Sequence, residues 1–221
     1  MITLNNVHKS YGKKQNVYEA LRGVSLSIKN GERIAVQGKS GSGKSTLMHL
    51  LAGLDTATSG TVDVDGKSLG TLNEGALASL RNEKFGFIFQ QFFLQPNLTV
   101  LENVTLPLMI RGVSQKKRNE LGRKLLAEVG LSDKEKNRAT DLSGGQMQRV
   151  AIARALIVDP EVVFADEPTG NLDSDTSEQV INLLFDLHKR RNVTLVIVTH
   201  DHELAARCDR TIHIQDGKVV A

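Results

Sequence analysis

Gly38-Lys39-Ser40-Gly41-Ser42-Gly43-Lys44-Ser45 is the stretch whose reading decides the fold. It matches the pattern G-x-x-x-x-G-K-[ST], and its surroundings fit that pattern. Ile34-Ala35-Val36 reads as a short buried strand just before it, and residues 44–53 read as a helix just after it. The glycines let backbone N–H groups turn inward around phosphate oxygens, and the helix N-terminus adds its positive dipole end. On this reading Gly38, Ser40, Gly41, Ser42 and Gly43 form the cradle, with Thr46 at the helix start beside it. Lys44 neutralises β- and γ-phosphates, and Ser45 places its hydroxyl on Mg²⁺.

Outward from the loop, the early third mixes antiparallel strands with this one strand–loop–helix unit. Residues 2–7 and 24–28 read as short strands, the second with Val24, Leu26 and Ile28 alternating with serines. A polar, glycine-containing loop is expected from Ser10 to Glu19. Asn30-Gly31 is a turn signal, and Asp65-Gly66 closes a hairpin after the alternating run Thr61 to Val64. The middle, about 100–158, is helical. Leu121, Leu125, Leu126 and Val129 share a face over 115–129, and a second helix runs from Gly144 to Ile157, ahead of Asp159-Pro160. Strands return at 162–165, 195–198 and 211–214, with a helix over about 175–190 between the first two. Short apolar strands alternating with helices predict a parallel sheet covered on both faces, with the helix-rich middle as an insertion.

Composition bounds what such a fold can do. The 221 residues fit one domain, or one core with a subdomain. With 28 Lys and Arg against 25 Asp and Glu the net charge is +3, too weak a bias to imply nucleic acid. Trp is absent and aromatics are 4%, which argues against a base-stacking platform for single strands. Cys208 is the one cysteine, so no intrachain disulfide or cysteine zinc site can form, in keeping with a reducing compartment. No run approaches the roughly 18 apolar residues of a membrane span, and Met1 to Ser10 lacks the apolar core of a secretory signal. A soluble, cytoplasmic protein is expected, one that would act on a membrane only through a partner.

Two further motifs carry chemistry. Val162-Val163-Phe164-Ala165-Asp166-Glu167 is an apolar strand ending in two carboxylates. At the C-terminal edge of a parallel sheet that is where ligands bind. Asp166 would serve Mg²⁺, and Glu167 would accept a proton from, or orient, an attacking water. Leu142-Ser143-Gly144-Gly145-Gln146, read alone, is a helix start with Ser143 as N-cap. With Gln148-Arg149 and Ala151-Ile152-Ala153-Arg154-Ala155-Leu156 behind it, the run resembles the signature motif of the ATP-binding-cassette (ABC) family. A serine hydroxyl and glycine amides at a helix start make a second anion site. One chain with two such sites suggests two chains meeting head to tail.

The resemblance spans essentially the whole chain. It implies an α/β fold: a P-loop NTPase (RecA-like) core with an antiparallel β subdomain and an inserted α-helical subdomain. The expected layout is one domain over 1–221, with core and β subdomain in 1–90 and 158–221 and the helical subdomain in about 91–157. By the same resemblance Tyr11 would stack on adenine, with Tyr18 the rival ring, and Gln90 would touch Mg²⁺ and water. Ser143, Gly144, Gly145 and Gln146 would contact ATP held by a second copy. Asp173, in Asn171-Leu172-Asp173, would lie in the dimer loop, and His200 would contact γ-phosphate. A metal pair of His200 with His202 is set aside for want of a nearby third ligand. Leu54-Asp55, Phe85 to Gln91 and Ala165 to Asp173 are similar to ATPase subunits of the MacB, LolD and FtsE type. Two small departures are Gln37 before the loop and Met147 after the signature.

The function implied is an ATP-hydrolysing subunit that binds ATP and Mg²⁺, dimerises around them and drives an integral-membrane permease of the lipoprotein, peptide or drug export type or of the cell-wall-regulating type. The implied place is the cytoplasmic face of the cell (inner) membrane. Gln91 to Leu98, with Phe92, Phe93 and Leu94, is the expected permease-docking segment. The competing readings are a soluble, non-transport ABC ATPase, usually longer or carrying zinc insertions, and a P-loop kinase, which would not need the signature. No nucleic-acid partner is expected.

Overall fold

The computed structural model describes residues 1–13 and 16–220. In chain order the elements are β1 (Ile2–Tyr11), β2 (Tyr18–Ile28), β3 (Arg33–Gln37), α1 (Lys44–Leu51), β4 (Ser59–Val64), β5 (Lys67–Ser68), α2 (Glu74–Lys84), β6 (Phe85–Phe89), α3 (Val100–Ile110), α4 (Gln115–Glu128), α5 (Gly144–Leu156), β7 (Val162–Asp166), α6 (Ser174–Arg191), β8 (Thr194–Val198), α7 (His202–Ala206), β9 (Arg210–Gln215) and β10 (Lys218–Val220). They fall into two compact units, residues 1–81 with 194–221, and residues 82–193.

The first unit holds two sheets. One is antiparallel, in the order β2-β1-β4-β5. Its last pair is the expected Asp65-Gly66 hairpin: Val64 faces Lys67 across a turn with positive φ at both central residues, 50° and 76°. The other sheet has β3 parallel to β8 on one side and to β9 on the other, with α1 packed on β8 and α7 on β3 and β9. The apolar runs that mark these strands are fully buried. Ile34, Ala35 and Val36 are at most 1% exposed, as are Leu195 through Val198. Each large aliphatic side chain so buried stabilises by about 1.5–3 kcal/mol. β10 adds an antiparallel edge through a second Asp-Gly turn at 216–217.

One expectation needs correcting. The loop placed from Ser10 to Glu19 is shorter, because β1 continues to Tyr11 and β2 begins at Tyr18, with Ser10 opposite Glu19 and Tyr11 opposite Tyr18. The polar residues stay in the ladder because the pair is bulged: register shifts fall between Leu4 and Val7, Val7 and Lys9, and Lys9 and Ser10. Lys14 and Gln15, inside the expected loop, lie outside the described residues.

The second unit contains the parallel pair β6–β7 and four helices from α3 to α6. α4 carries the predicted stripe: Leu125, Leu126 and Val129 are buried, and Leu121 is half-buried. α5 packs on β6 and against α3, α4 and α6. Three helix starts are capped by side chains: Thr99 with Glu102 and Ser143 with Gln146 form reciprocal boxes, and Asp173 accepts from the Thr176 amide. The β6 phenylalanines interlock with β7, Phe85 edge-on to Phe164 at 5.3 Å and Phe87 stacked on Phe164 at 5.7 Å. Between them, Gly86 lets α5 approach so closely that a Cβ there would sit 2.5 Å from the Ala155 carbonyl oxygen.

That approach sets a first prediction. Gly86→Ala should destabilise the protein by about 1–3 kcal/mol, the usual cost of overpacking a dense core. Urea unfolding followed by circular dichroism measures it, and an unchanged midpoint would mean that the strand and helix have room to part.

Candidate functional site

In the first unit, β3 delivers the chain into the glycine-rich loop. Gln37, 5% exposed, anchors this point by donating from Nε2 to the Asp201 carbonyl at 3.1 Å, with His202 Nδ1 at 3.4 Å. That tie gives the polar residue before the loop a structural use. Gly38 leaves no room for a side chain, since a Cβ would meet the Ile214 carbonyl oxygen at 2.1 Å. Gly43 is equally confined, with the Ala20 carbonyl oxygen at 2.6 Å, and takes φ of 109° as the cap residue of α1. The loop is also held from the β9–β10 turn, where the Gly217 amide donates to the Ser42 carbonyl at 3.0 Å.

What the loop presents is positive. α1 begins without a side-chain cap and without an acid in its first turn, so its first amides have no partner within the helix. Lys44 donates from Nζ to the Gly38 carbonyl at 2.8 Å and to the Lys39 carbonyl at 2.9 Å. Ser42 Oγ is buried without a hydrogen-bond partner. A cavity of about 250 Å³ opens here, lined by Tyr11 and Tyr18 together with Ser40, Gly41, Gly43, Lys44, Ser45 and Thr46. Both candidate rings therefore border the loop. Tyr18 donates to the Gly41 carbonyl at 3.0 Å, and Tyr11 donates to Asp55 at 2.7 Å. Partial burial and the bond to Asp55 raise the Tyr11 phenol above its ordinary value. His200 is exposed just past the C-terminal end of β8, immediately before Asp201 caps α7.

In the second unit, β7 ends at Asp166, directly opposite Phe89 of β6, so Gln90 and Glu167 leave the same sheet edge together. Glu167 adopts φ of 45°, the left-handed region that a glutamate seldom enters. Gln90 and Asn171 are doubly joined: Gln90 Nε2 donates to Asn171 Oδ1 at 3.3 Å, and Asn171 Nδ2 to the Gln90 carbonyl at 2.8 Å. Ser143, Gly144, Gly145 and Gln146 form the start of α5, as the sequence requires. Ser143 Oγ accepts the Gln146 amide at a long 3.4 Å, while Gln146 Oε1 accepts the Ser143 amide at 3.0 Å. A Cβ on Gly144 would lie 3.2 Å from Leu172, and one on Gly145 2.3 Å from Thr176, so the signature start packs on the loop carrying Asp173. Asp173 accepts the Thr176 amide at 2.9 Å, a bond that holds its carboxyl below the usual carboxylate range.

Two residues of the signature run, given no role of their own by the sequence, serve these segments. Gln148 is fully buried and donates to the Pro168 carbonyl, next to Glu167. Arg154 donates to the carbonyls of Phe92 and Phe93 at 2.7 and 2.6 Å. Neither contact has a local sequence signal, because each joins residues 20 or more positions apart. Among the described residues no cluster of three or more His, Cys, Asp or Glu could hold a metal by itself. Mg²⁺ needs few protein ligands, because substrate phosphates and waters complete its shell.

The family model for ABC transporters matches residues 21–170. The chain belongs to the ABC transporter family. It is similar to the lipoprotein-releasing system ATP-binding protein LolD of Geobacter metallireducens, 46% identical over all of this chain and 98% of that protein. It is also similar to the macrolide export ATP-binding/permease protein MacB of Mannheimia succiniciproducens, 45% identical, where it spans 34% of the longer relative. Among solved structures, the ATP-binding cassette MJ0796, a dimer in a post-hydrolysis state with ADP and Pi, superposes with a TM-score of 0.91 at 41% identity, covering 100% of this chain and 97% of that one.

The cap on α6 yields a pH prediction for this ABC protein. A carboxyl whose folded pKa is depressed contributes stability above its unfolded pKa and loses it as pH falls through the folded value. For Asp173 the window opens near the ordinary 3.8 and extends below it. Wild type should therefore exceed Asp173→Ala in urea midpoint at neutral pH, and the gap should narrow as pH drops from about 5 through 4 and below. A gap that stays constant over that range would show that the charge on Asp173 contributes nothing to the cap.

Proposed function

We infer that this chain is the ATP-binding and ATP-hydrolysing subunit of a membrane ABC system. It works as a dimer around two ATP–Mg²⁺ and drives a permease of the lipoprotein- and drug-export kind. The observation that carries the reading is the pair of anion-receptive helix starts in one chain. One is α1 under its glycine loop, and the other is α5 under Ser143-Gly144-Gly145. A single nucleotide does not need two; two chains sharing two nucleotides do. A soluble, non-transport ABC protein is the weaker reading, since LolD- and MacB-named relatives match the full chain.

The roles follow from chemistry. Lys44 binds the phosphates, and the hydroxyls of Ser45 and Thr46 lie at the same helix start. Tyr11 carries the base. Ser45, Asp166 and Gln90 would hold Mg²⁺, which would supply positive charge to the phosphates. Glu167 holds the attacking water or takes its proton, and its left-handed backbone turns the carboxylate out of strand geometry. His200 contacts γ-phosphate. Asp173 and the signature residues Ser143 to Gln146 meet the second copy. The domain layout we favour keeps the core in 1–90 and 158–221 and the helical subdomain in about 91–157.

No helix among the described residues is long and apolar enough to cross a membrane. The subunit acts from the cytoplasmic face of the inner membrane through its permease. Phe93 suits that contact. It is 60% exposed, while Phe92 and Leu94 are half-buried, and its ring is braced edge-on to Phe89 at 5.4 Å.

Lys44→Ala should weaken ATP binding at least tenfold, since the phosphates lose a charge-assisted donor worth about 1.5–3 kcal/mol. Glu167→Gln should keep affinity but slow turnover by about 10²–10⁴. Calorimetry with ATP and a phosphate-release assay separate the two, and equal loss of affinity in both would overturn the role assignment. With ATP–Mg²⁺, Glu167→Gln should scatter light as a dimer, and adding Ser143→Arg should return it to a monomer; a monomer throughout would count against the two-chain site.

Phe93→Asp should abolish capture of the permease and its stimulation of hydrolysis, while the isolated subunit keeps its ATP affinity. Pull-down with the partner permease reads the outcome, and undiminished capture would move the docking surface elsewhere.

A further inference from the structure

β1 ends in Lys9-Ser10-Tyr11, and residues two apart on a strand point to the same face. Both side chains reach one carboxylate. Lys9 Nζ lies 2.5 Å from Asp55 Oδ1, and the Tyr11 hydroxyl donates to Asp55 Oδ2 at 2.7 Å. Asp55 sits in the turn that follows α1, and that turn is itself fixed. The Thr56 amide donates to Asp55 Oδ1 at 2.7 Å, the Leu54 amide to the His49 carbonyl at 2.8 Å, and Lys9 Nζ to the Thr56 carbonyl at 2.8 Å. The ammonium of Lys9 also lies 4.8 Å from the centroid of the Tyr11 ring, in cation–π range. The Lys9 side chain is only 12% exposed, yet Tyr11 as a whole stays 41% exposed and borders the cavity at the phosphate loop.

This arrangement is more than an exposed tyrosine needs. An exposed phenol is satisfied by water, and a ring on a strand end ordinarily turns about its side-chain torsions. Here the hydroxyl is held by Asp55 and a cation lies over the ring, while the residue stays substantially exposed at the cavity. We propose that Asp55 and Lys9 are positioning residues for nucleotide binding: they lock Tyr11 so that its ring is preset to stack on the adenine base. The idea rests on the inference that the chain binds ATP with Tyr11 against the base. A ring fixed before binding loses no further freedom when the base arrives, which is how preorganisation raises affinity. The charge states agree with the geometry. Partial burial would push Asp55 up, but hydrogen bonds from Lys9 and Tyr11 outweigh it and hold the carboxyl below its usual range.

The alternative is that the cluster only staples β1 to the turn after α1, and the two ideas separate by ligand. Calorimetry on the full chain with Mg-ATP and with Mg-triphosphate, which has no base, is compared for wild type, Asp55→Ala, Lys9→Met and Tyr11→Phe. Stacking worth about 0.5–1.5 kcal/mol corresponds to about twofold to tenfold in affinity. ATP should therefore weaken by about that factor in each variant, while triphosphate affinity stays at the wild-type value. Asp55→Ala combined with Tyr11→Phe should bind ATP no more weakly than Asp55→Ala alone, because both remove one interaction. Asp55→Glu, which keeps the carboxylate, should recover part of the loss.

Tyrosine emission gives a readout independent of turnover. The chain has no Trp and two Tyr, so its fluorescence reports Tyr11 and Tyr18. A carboxylate accepting a phenol hydrogen bond quenches emission, so Asp55→Ala should be brighter than wild type before any nucleotide is added. The proposal is overturned if Tyr11→Phe and Asp55→Ala bind ATP as wild type does. It is also overturned if ATP and triphosphate weaken equally, or if Tyr18→Leu rather than Tyr11→Leu removes the preference for ATP over triphosphate. Should Asp55→Ala fail to fold, Tyr11→Phe, which deletes one oxygen, decides the matter alone. Wild type that binds neither ligand would instead sink the ATP-binding inference itself.

Discussion

The phosphate loop depends on backbone lying directly on backbone. The Ile214 carbonyl oxygen would be 2.1 Å from a Cβ on Gly38, and the Ala20 carbonyl oxygen 2.6 Å from one on Gly43. Two strands, β9 and β2, therefore press on the two ends of the loop, and the Gly217 amide closes the contact by donating to Ser42. Held this way, the loop needs no side chain of its own to define its shape. Its side chains are left for other work: Lys44 supplies charge, and Ser45 and Thr46 supply hydroxyls to the cavity. The strands around the loop thus serve function by where their carbonyls stop.

The second unit reaches a similar end by capping. Ser143 and Asp173 start α5 and α6, and Gly145 allows those two helix starts to touch at Thr176. The 3.4 Å bond from the Gln146 amide to Ser143 Oγ is at the long limit for a hydrogen bond. A hydroxyl so loosely engaged can turn to an incoming anion at little energetic cost, while the 3.0 Å bond in the other direction keeps the helix start in shape. Under the proposed function, the hydroxyl that caps the helix would be the same group that receives the phosphate.

Much of this was legible in the residues. The phosphate loop, the carboxylate strand end and the signature helix are each specified by local patterns: glycine spacing, an apolar run with acids at its end, a serine N-cap. Helices α4, α5 and α6 begin and end within two residues of where periodicity and capping place them. What escaped was built from contacts between distant positions. The pairing of Ser10 and Tyr11 with Glu19 and Tyr18 depends on bulges, which let polar residues stay in a ladder without strict alternation. Helix α2 escaped because Leu77 is its single buried residue, so it shows no apolar stripe. The Asp216-Gly217 hairpin has the same turn signal as Asp65-Gly66, but the exposed three-residue strand that follows it carries no apolar alternation. Gln148, Arg154 and Asp55 belong to recognisable motifs, but their partners Pro168, Phe92, Phe93 and Lys9 lie far away in sequence, so their contacts could not be read locally.

The resting contacts of Lys44 bear on which anions the loop selects. Its ammonium already sits on two carbonyl oxygens, at 2.8 and 2.9 Å. A ligand must therefore compete with dipoles rather than with bulk water, and the gain is the difference between a full charge and a partial one. An oxyanion with a single charge gains little by that exchange. A polyphosphate, which brings several charges and also reaches the helix amides, gains at every contact. The internal bonds of the lysine thereby set a cost that an anion must repay, and one carrying several charges repays it more readily than one carrying a single charge.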